Sequence, residues 1–221
     1  MIAGRLAKVR SDMAAAMAAV GRTDDVTLVA VSKGHDVDAI QEAYDAGQRD
    51  FGESRGQALA AKAVELPDDI RWHFIGPLQS NKVRIVRPHT VLLHSFDRDS
   101  LVGPWLKGLG SAPPALLQVN IGREPQKAGV EPERVDETFD AWTDMGIDLQ
   151  GVMAIPPFSE DPEETRPYFV SLRAIRDGLA DRLGRPLELS MGMTNDYALA
   201  IEEGSTMIRV GTAIFGPRVN T

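Results

Sequence analysis

The stretch "LVAVSK" carries an aliphatic run into a lysine at position 33. On an extended strand Val29, Val31 and Lys33 share one side, while Leu28, Ala30 and Ser32 share the other. If the two valines face a closed interior, Lys33 faces it too, at the end where the strand stops. An ammonium there loses hydration and must be paired, held at a lowered pKa or converted into another chemical species. A desolvated lysine amine is also a nucleophile that forms Schiff bases with aldehydes. The competing reading is a strand-end lysine whose stem reaches solvent or a local carboxylate, and Lys33 alone does not decide between them.

A second group lies near the end of the chain. "GSTMIRVGTAIFG" sets Arg209 at an equivalent inward-capable position, followed by Gly211, where backbone can approach a ligand, and Thr212, a hydroxyl at the start of a short helical turn. Backbone N–H groups and partial positive charge at such a turn suit a phosphate. The preceding "SMGMTND" adds Ser190, Gly192 and Thr194. Against this stands the reading in which the glycines only make turns and the hydroxyls only cap helices. An aldehyde-reactive lysine, an arginine able to face a ring and a phosphate nest together describe pyridoxal 5'-phosphate better than a sugar phosphate.

These residues need a scaffold that brings both ends of the chain together. Periodicity and turn signals predict strands at 26–32, 50–52, 71–75, 90–94, 115–120, 149–153, 187–190 and 206–210. Helices are expected at 37–46, 57–66, 81–86, 98–109, 132–145, 162–182 and 196–203, after an N-terminal amphipathic helix. Asp97, Asp161 and Asn195 are candidate caps, and Pro132 and Pro162 fit first-turn positions. Eight short strands alternating with helices count out an α/β fold, a single (β/α)8 TIM barrel over residues 1–221, with a doubly wound open sheet as the competitor. A barrel puts Lys33 and Arg209 on neighbouring first and last strands, at the end where such barrels hold ligands. "PPFSEDPEETRP" is expected to be a loop at the rim of that face.

Composition narrows the partners. Net charge is −8, from 32 acidic and 24 basic residues, and aromatics make up 6%, so the average surface repels a phosphate backbone and offers few stacking rings; no nucleic acid is expected. The absence of cysteine removes disulfides, thiolate metal sites and a cysteine nucleophile. No run approaches the ~20 apolar residues of a membrane span, and Arg5, Lys8, Arg10 and Asp12 interrupt the N-terminal segment. The expectation is a cytoplasmic protein without a membrane anchor.

The blocks "LVAVSK", "FGESRGQ", "WHFIGPLQSNK", "VNIGREPQKAG", "GVMAIPP" and "LSMGMTNDYALAIEEGSTMIRVGTAIFG" closely resemble the YggS/PROSC family of pyridoxal-phosphate-binding proteins, relatives of the N-terminal barrel of bacterial alanine racemase. The resemblance spans positions 28–216. It implies that Lys33 carries the internal aldimine, that Arg209 faces the pyridine nitrogen, and that Ser190, Gly211 and Thr212 hold the phosphate. It further implies a role in cofactor homeostasis without established turnover. Three positions depart from the family pattern: Ser54 stands where asparagine is usual, Gly56 where an aliphatic residue is usual, and "NIG" lacks the usual serine. Ser54 keeps a hydrogen-bonding group with less reach, and Gly56 is expected to loosen the following helix.

Further pocket candidates are Glu53, Ser54, His73, Asn81, Asn120, Met153, Gly192, Met193 and Thr194. His73 and His94 fall at strand ends without metal-site spacing, so no metal is expected and structural hydrogen bonding is the simpler role for both. Arginine beside the pyridine nitrogen keeps its own proton and leaves the ring a weaker electron sink. A racemase also needs acid/base groups on both faces of the substrate carbon, and Tyr44, Tyr168 and Tyr197 fall in predicted helices, where packing is the simpler role. The reading is a monomeric barrel that binds pyridoxal 5'-phosphate and buffers, protects or delivers it, with apo pyridoxal-phosphate enzymes as candidate recipients. A slow amino-acid racemase or lyase is the alternative.

Overall fold

Helix α1 (Ile2–Ala19) opens the chain, and Ile2, Leu6, Val9, Met13 and Ala16 are its buried stripe, recurring at three- and four-residue spacing as one helical face requires. This stripe packs on α2 (Val37–Asp45), α8 (Tyr197–Glu202) and α9 (Thr212–Phe215). The structure is a computed structural model and describes residues 1–217.

Eight parallel strands follow: β1 (Thr27–Val31), β2 (Asp50–Glu53), β3 (Arg71–Phe74), β4 (Thr90–Phe96), β5 (Ala115–Val119), β6 (Leu149–Ala154), β7 (Glu188–Ser190) and β8 (Met207–Val210). They pair in sequence order and close as a barrel, with β8 against β1 from Thr27↔Met207 to Ala30↔Val210. The TIM barrel expected from periodicity is the observed fold, and the open sheet is excluded by that closure.

The remaining helices are α3 (Gly56–Glu65), α4 (Val83–Val86), α5 (Val102–Leu106), α6 (Val135–Asp144) and α7 (Arg166–Leu183). Four are shorter than the sequence suggested, α6 and α7 because 3-10 turns at Pro132–Arg134 and Pro162–Thr165 take their first residues. In α4 a 3-10 turn takes the first residues, and Pro88 lies in another just beyond. In α5 the helix stops at Leu106, before Gly108 and Gly110 at positive φ. Asp161 caps as expected, accepting from the Glu163 amide at 3.0 Å. Asp97 instead pairs with Arg98, and α8 follows Asp196 rather than Asn195. Gly56 is the first residue of α3, where a Cβ would come within 2.8 Å of Val86 Cγ2. It therefore admits α4 close to α3.

Strand alternation sorts the core into two parts. Leu28, Ala30, Phe51, Trp72, Val152 and Ile208 point outward into one cluster with helix residues such as Leu6, Ile40, Leu59, Phe139 and Leu172. Leu92, Leu116, Met153 and Met207 form a separate cluster inside the barrel. Gly52 belongs to the interior parity, since a Cβ there would stand 3.1 Å from Val29 and 3.2 Å from Ile75 side-chain carbons. Barrel interiors are ordinarily filled by branched aliphatic residues; here the buried polar residues His73, His94, Ser190 and Arg209 take several of those places.

Candidate functional site

At the C-terminal ends of the strands a cavity of about 360 Å³ opens between β1, β2, β3 and β8. Lys33, two residues beyond β1, lies on its wall, as do Arg209 of β8 and the turn residues Gly211 and Thr212. Val31, Ile75, Pro77, Ile155 and Met193 supply the apolar surface, and Ser54 and Thr194 the remaining hydroxyls. The cavity thus combines an amine, a guanidinium, a glycine-led helical turn and an apolar wall.

Arg209 is 4% exposed. Its Nη1 donates to Ser190 Oγ, and its Nη2 donates to the Ala154 carbonyl at 3.0 Å. Burial pulls its pKa down to about 10, partly offset by Asp196, so it remains cationic near neutrality. Ser190, expected at the phosphate, lies fully buried among Arg209 and His94. Its inward position on β7 sits one layer deeper than the mouth, where its hydroxyl supports the arginine. Gly192 does not line the cavity either: at φ +92°, where a Cβ would fall 2.5 Å from Ala200 Cβ, it turns the chain so that its carbonyl accepts from the Arg209 amide at 3.0 Å.

Glu53 has the parity opposite to Gly52 and Ser54 and points away from the cavity. Its carboxylate pairs with Lys62 of α3 and accepts from the Ser54 amide at 2.9 Å. Lys62 Nζ also donates to the Ser32 carbonyl at 2.9 Å. This buried pair braces the backbone beside both Lys33 and Ser54. Asn81 is exposed in a 3-10 turn. Asn120 holds its own loop, donating to the Glu124 carbonyl and Glu131 Oε1 at 3.1 Å each. Met153 is fully buried in the interior layer beneath the cavity.

Met193 and Thr194 also border an adjoining recess of about 270 Å³, whose rim is Pro156, Pro157, Phe158 and Ser159. The proline-rich loop therefore does stand beside the candidate face. Tyr44 donates to Asp69 at 2.6 Å, Tyr197 donates to Asp12 at 3.0 Å, and Tyr168 packs on the outer core. Among the described residues no group of three or more metal-ligating side chains is assembled, and no helix is long and apolar enough to cross a membrane.

Sequence reading passed over Ile75, Pro77 and Ile155, although strand parity carried a signal for two of them: Ile75 follows His73, and Ile155 follows Met153, at a spacing of two. It also passed over Asp50, an inward residue at the opposite end of β2. Burial tends to raise the Asp50 pKa, but hydrogen bonds from His73 and Arg71 outweigh that and hold it at about 2.

His94 is fully buried, and its pKa is held well below 6.5, first by desolvation and then by its neighbours His73 and Arg209. A base with a depressed folded pKa lets the unfolded chain bind the extra proton, so its stabilisation is complete above about pH 6.5 and is lost as pH falls below it. Urea unfolding between pH 7.5 and 5.5 should show this loss, at most about 1.4 kcal/mol per pH unit for one proton. His94→Asn should flatten the curve relative to the wild type, and identical slopes in the two proteins would refute the assignment.

The chain matches the model for the alanine racemase N-terminal domain over residues 5–219. It is 40% identical to the pyridoxal phosphate homeostasis protein of Aquifex aeolicus, with 97% of each chain covered. Against the protein of that name in Escherichia coli it is 39% identical, covering 98% of this chain and 97% of the other. Among solved structures, PipY of Synechococcus elongatus with PLP bound superposes with a TM-score of 0.83 at 38% identity, covering 98% of this chain and all of that one.

Proposed function

The chain belongs to the alanine racemase N-terminal domain family, in its pyridoxal phosphate homeostasis branch, and from that membership we propose that it binds pyridoxal 5'-phosphate reversibly at Lys33 and buffers, protects or delivers it without turning over a substrate. The observation that carries this reading is the convergence of Lys33, Arg209, Gly211 and Thr212 on one cavity. That donor set fits the cofactor group by group. An amine suits its aldehyde, a guanidinium suits the acceptor nitrogen of its ring, a glycine-led turn suits its phosphate, and Ile75, Pro77 and Ile155 suit its ring faces. When bound, the cofactor supplies an aldehyde that condenses with a primary amine, releasing water and forming a Schiff base that water can reopen.

Arg209 presents N–H donors and retains its own protons. It would donate a hydrogen bond to the ring nitrogen of a bound cofactor without giving up its own proton, leaving that ring a weaker electron sink. Tyr44 and Tyr197 hydroxyls are engaged at Asp69 and Asp12, outside the cavity. Both facts favour storage over turnover. The proposed setting is a cytoplasmic monomer whose partners are the free cofactor and apo enzymes that need it; the net charge of −8 disfavours nucleic acid.

Borohydride reduction of the cofactor-loaded protein, followed by peptide mass mapping, tests the reading. One reduced adduct per chain, on Lys33, is the expected result. Adducts spread over surface lysines, or concentrated on another one, would overturn the site. Deuterium entering the α-position of amino acids incubated with the loaded protein in heavy water would overturn the absence of turnover.

A further inference from the structure

We propose that Asp50, His73, His94 and Ser190 are positioning residues, linked in a one-directional hydrogen-bond chain through the barrel interior that orients the Arg209 guanidinium and thereby sets the protonation of the ring nitrogen it faces. The chain itself is independent of any ligand, whereas its consequence for the ring rests on the proposed cofactor reading.

The connections run across five strands. His73 Nε2 lies 3.1 Å from Asp50 Oδ1, His73 Nδ1 lies 2.9 Å from His94 Nε2, and His94 Nδ1 lies 2.9 Å from Ser190 Oγ. Arg209 then donates to Ser190. With both imidazoles neutral, donor and acceptor chemistry fixes the direction. Asp50 is ionised and can only accept, so His73 Nε2 carries the proton there. A neutral His73 then accepts at Nδ1, which requires His94 to donate from Nε2. Neutral His94 in turn accepts at Nδ1 from the Ser190 hydroxyl, and Ser190 uses a lone pair for Arg209. Every proton points away from Arg209, toward Asp50, and no member is left with two donors or two acceptors opposed.

Position argues that this chain serves more than packing. Leu92, Leu116, Met153 and Met207 fill the same interior, and aliphatic residues there avoid the desolvation that buried polar groups incur. His94 and Ser190 are fully buried, and His73 is 4% exposed. Asp50 is paired with Arg71 and borders a separate recess at the opposite end of the barrel. The guanidinium at the mouth is thereby tied, through side chains alone, to a carboxylate at the far end.

Histidine tautomers test the chain without cofactor. In protein labelled with 15N-histidine, long-range proton–nitrogen spectra should show His73 and His94 both protonated at Nε2 only; a proton on His94 Nδ1 would overturn the proposed direction. Binding of ring-15N-labelled pyridoxal 5'-phosphate tests the consequence. The wild type should show an unprotonated pyridine nitrogen. Ser190→Ala should shift that signal and weaken binding by about tenfold, the scale of one hydrogen bond to a charged group. Asp50→Asn, whose site is remote from the cavity, should shift the same signal in the same sense. An unchanged ring signal in either folded variant would reduce the four residues to packing elements. If the wild type forms no Lys33 adduct, the cofactor reading fails while the tautomer result still judges the chain.

Discussion

Lys33→Ala protein titrated with pyridoxal 5'-phosphate should develop no long-wavelength imine absorbance and should bind on the order of a hundredfold more weakly than wild type, about 2.7 kcal/mol. The turn at Gly211 and Thr212, Arg209 and the apolar wall remain in this variant, so residual noncovalent binding is expected. What disappears is the nucleophile. Lys62 cannot substitute, because its Nζ is committed to Glu53 and the Ser32 carbonyl and lies beside α3, outside the barrel wall. Lys33→Arg separates charge from nucleophilicity, since a guanidinium keeps the positive charge but forms no comparable imine. It should therefore match Lys33→Ala in lacking the band. Absorbance and equilibrium dialysis read the two effects separately, and a retained imine band in either variant would place the covalent bond elsewhere.

The alternation that located Lys33 was the most informative signal in the chain, and it held for more residues than were read with it. Val29, Val31 and Lys33 share a parity that needs only a closed sheet to point inward, and the barrel closes β1 on β8 so that Arg209 arrives beside them. The same rule applied to "FGESR" sets Glu53 against Gly52 and Ser54, and the structure turns it outward to Lys62. Ser190 was harder. A serine at a strand end can cap, bind phosphate or support a neighbour, and which one it does depends on His94 and Arg209, which lie 96 and 19 residues away along the chain. Asp50 and His73 form part of the interior chain through contacts between strands, which no local pattern encodes. The shortened α4 and α5 had local causes, with Pro88 and the Gly108 and Gly110 turn already visible as breakers.

The buried pair beside the site gives the largest expected effect on stability. Glu53 is 1% exposed, and Lys62 is 8% exposed. Replacing Lys62 by methionine keeps most of the stem volume but leaves the Glu53 carboxylate without its cation, and removes the donor to the Ser32 carbonyl. Breaking one side of a buried pair costs about 3–5 kcal/mol, whereas replacing both partners by neutral groups often costs little. Lys62→Met should therefore remove a large fraction of a typical 5–15 kcal/mol domain stability, read as a lower urea midpoint. Glu53→Gln combined with Lys62→Met should recover much of that loss, because the amide carries no charge to strand. The effect should extend to the cavity, since Ser32 precedes Lys33 and the Ser54 amide donates to the same carboxylate. Weaker cofactor binding in the single variant, partly restored in the double, would follow from that bracing. A loss below about 1 kcal/mol in Lys62→Met would mean that Glu53 finds water or another donor, and that the pair does not brace the mouth.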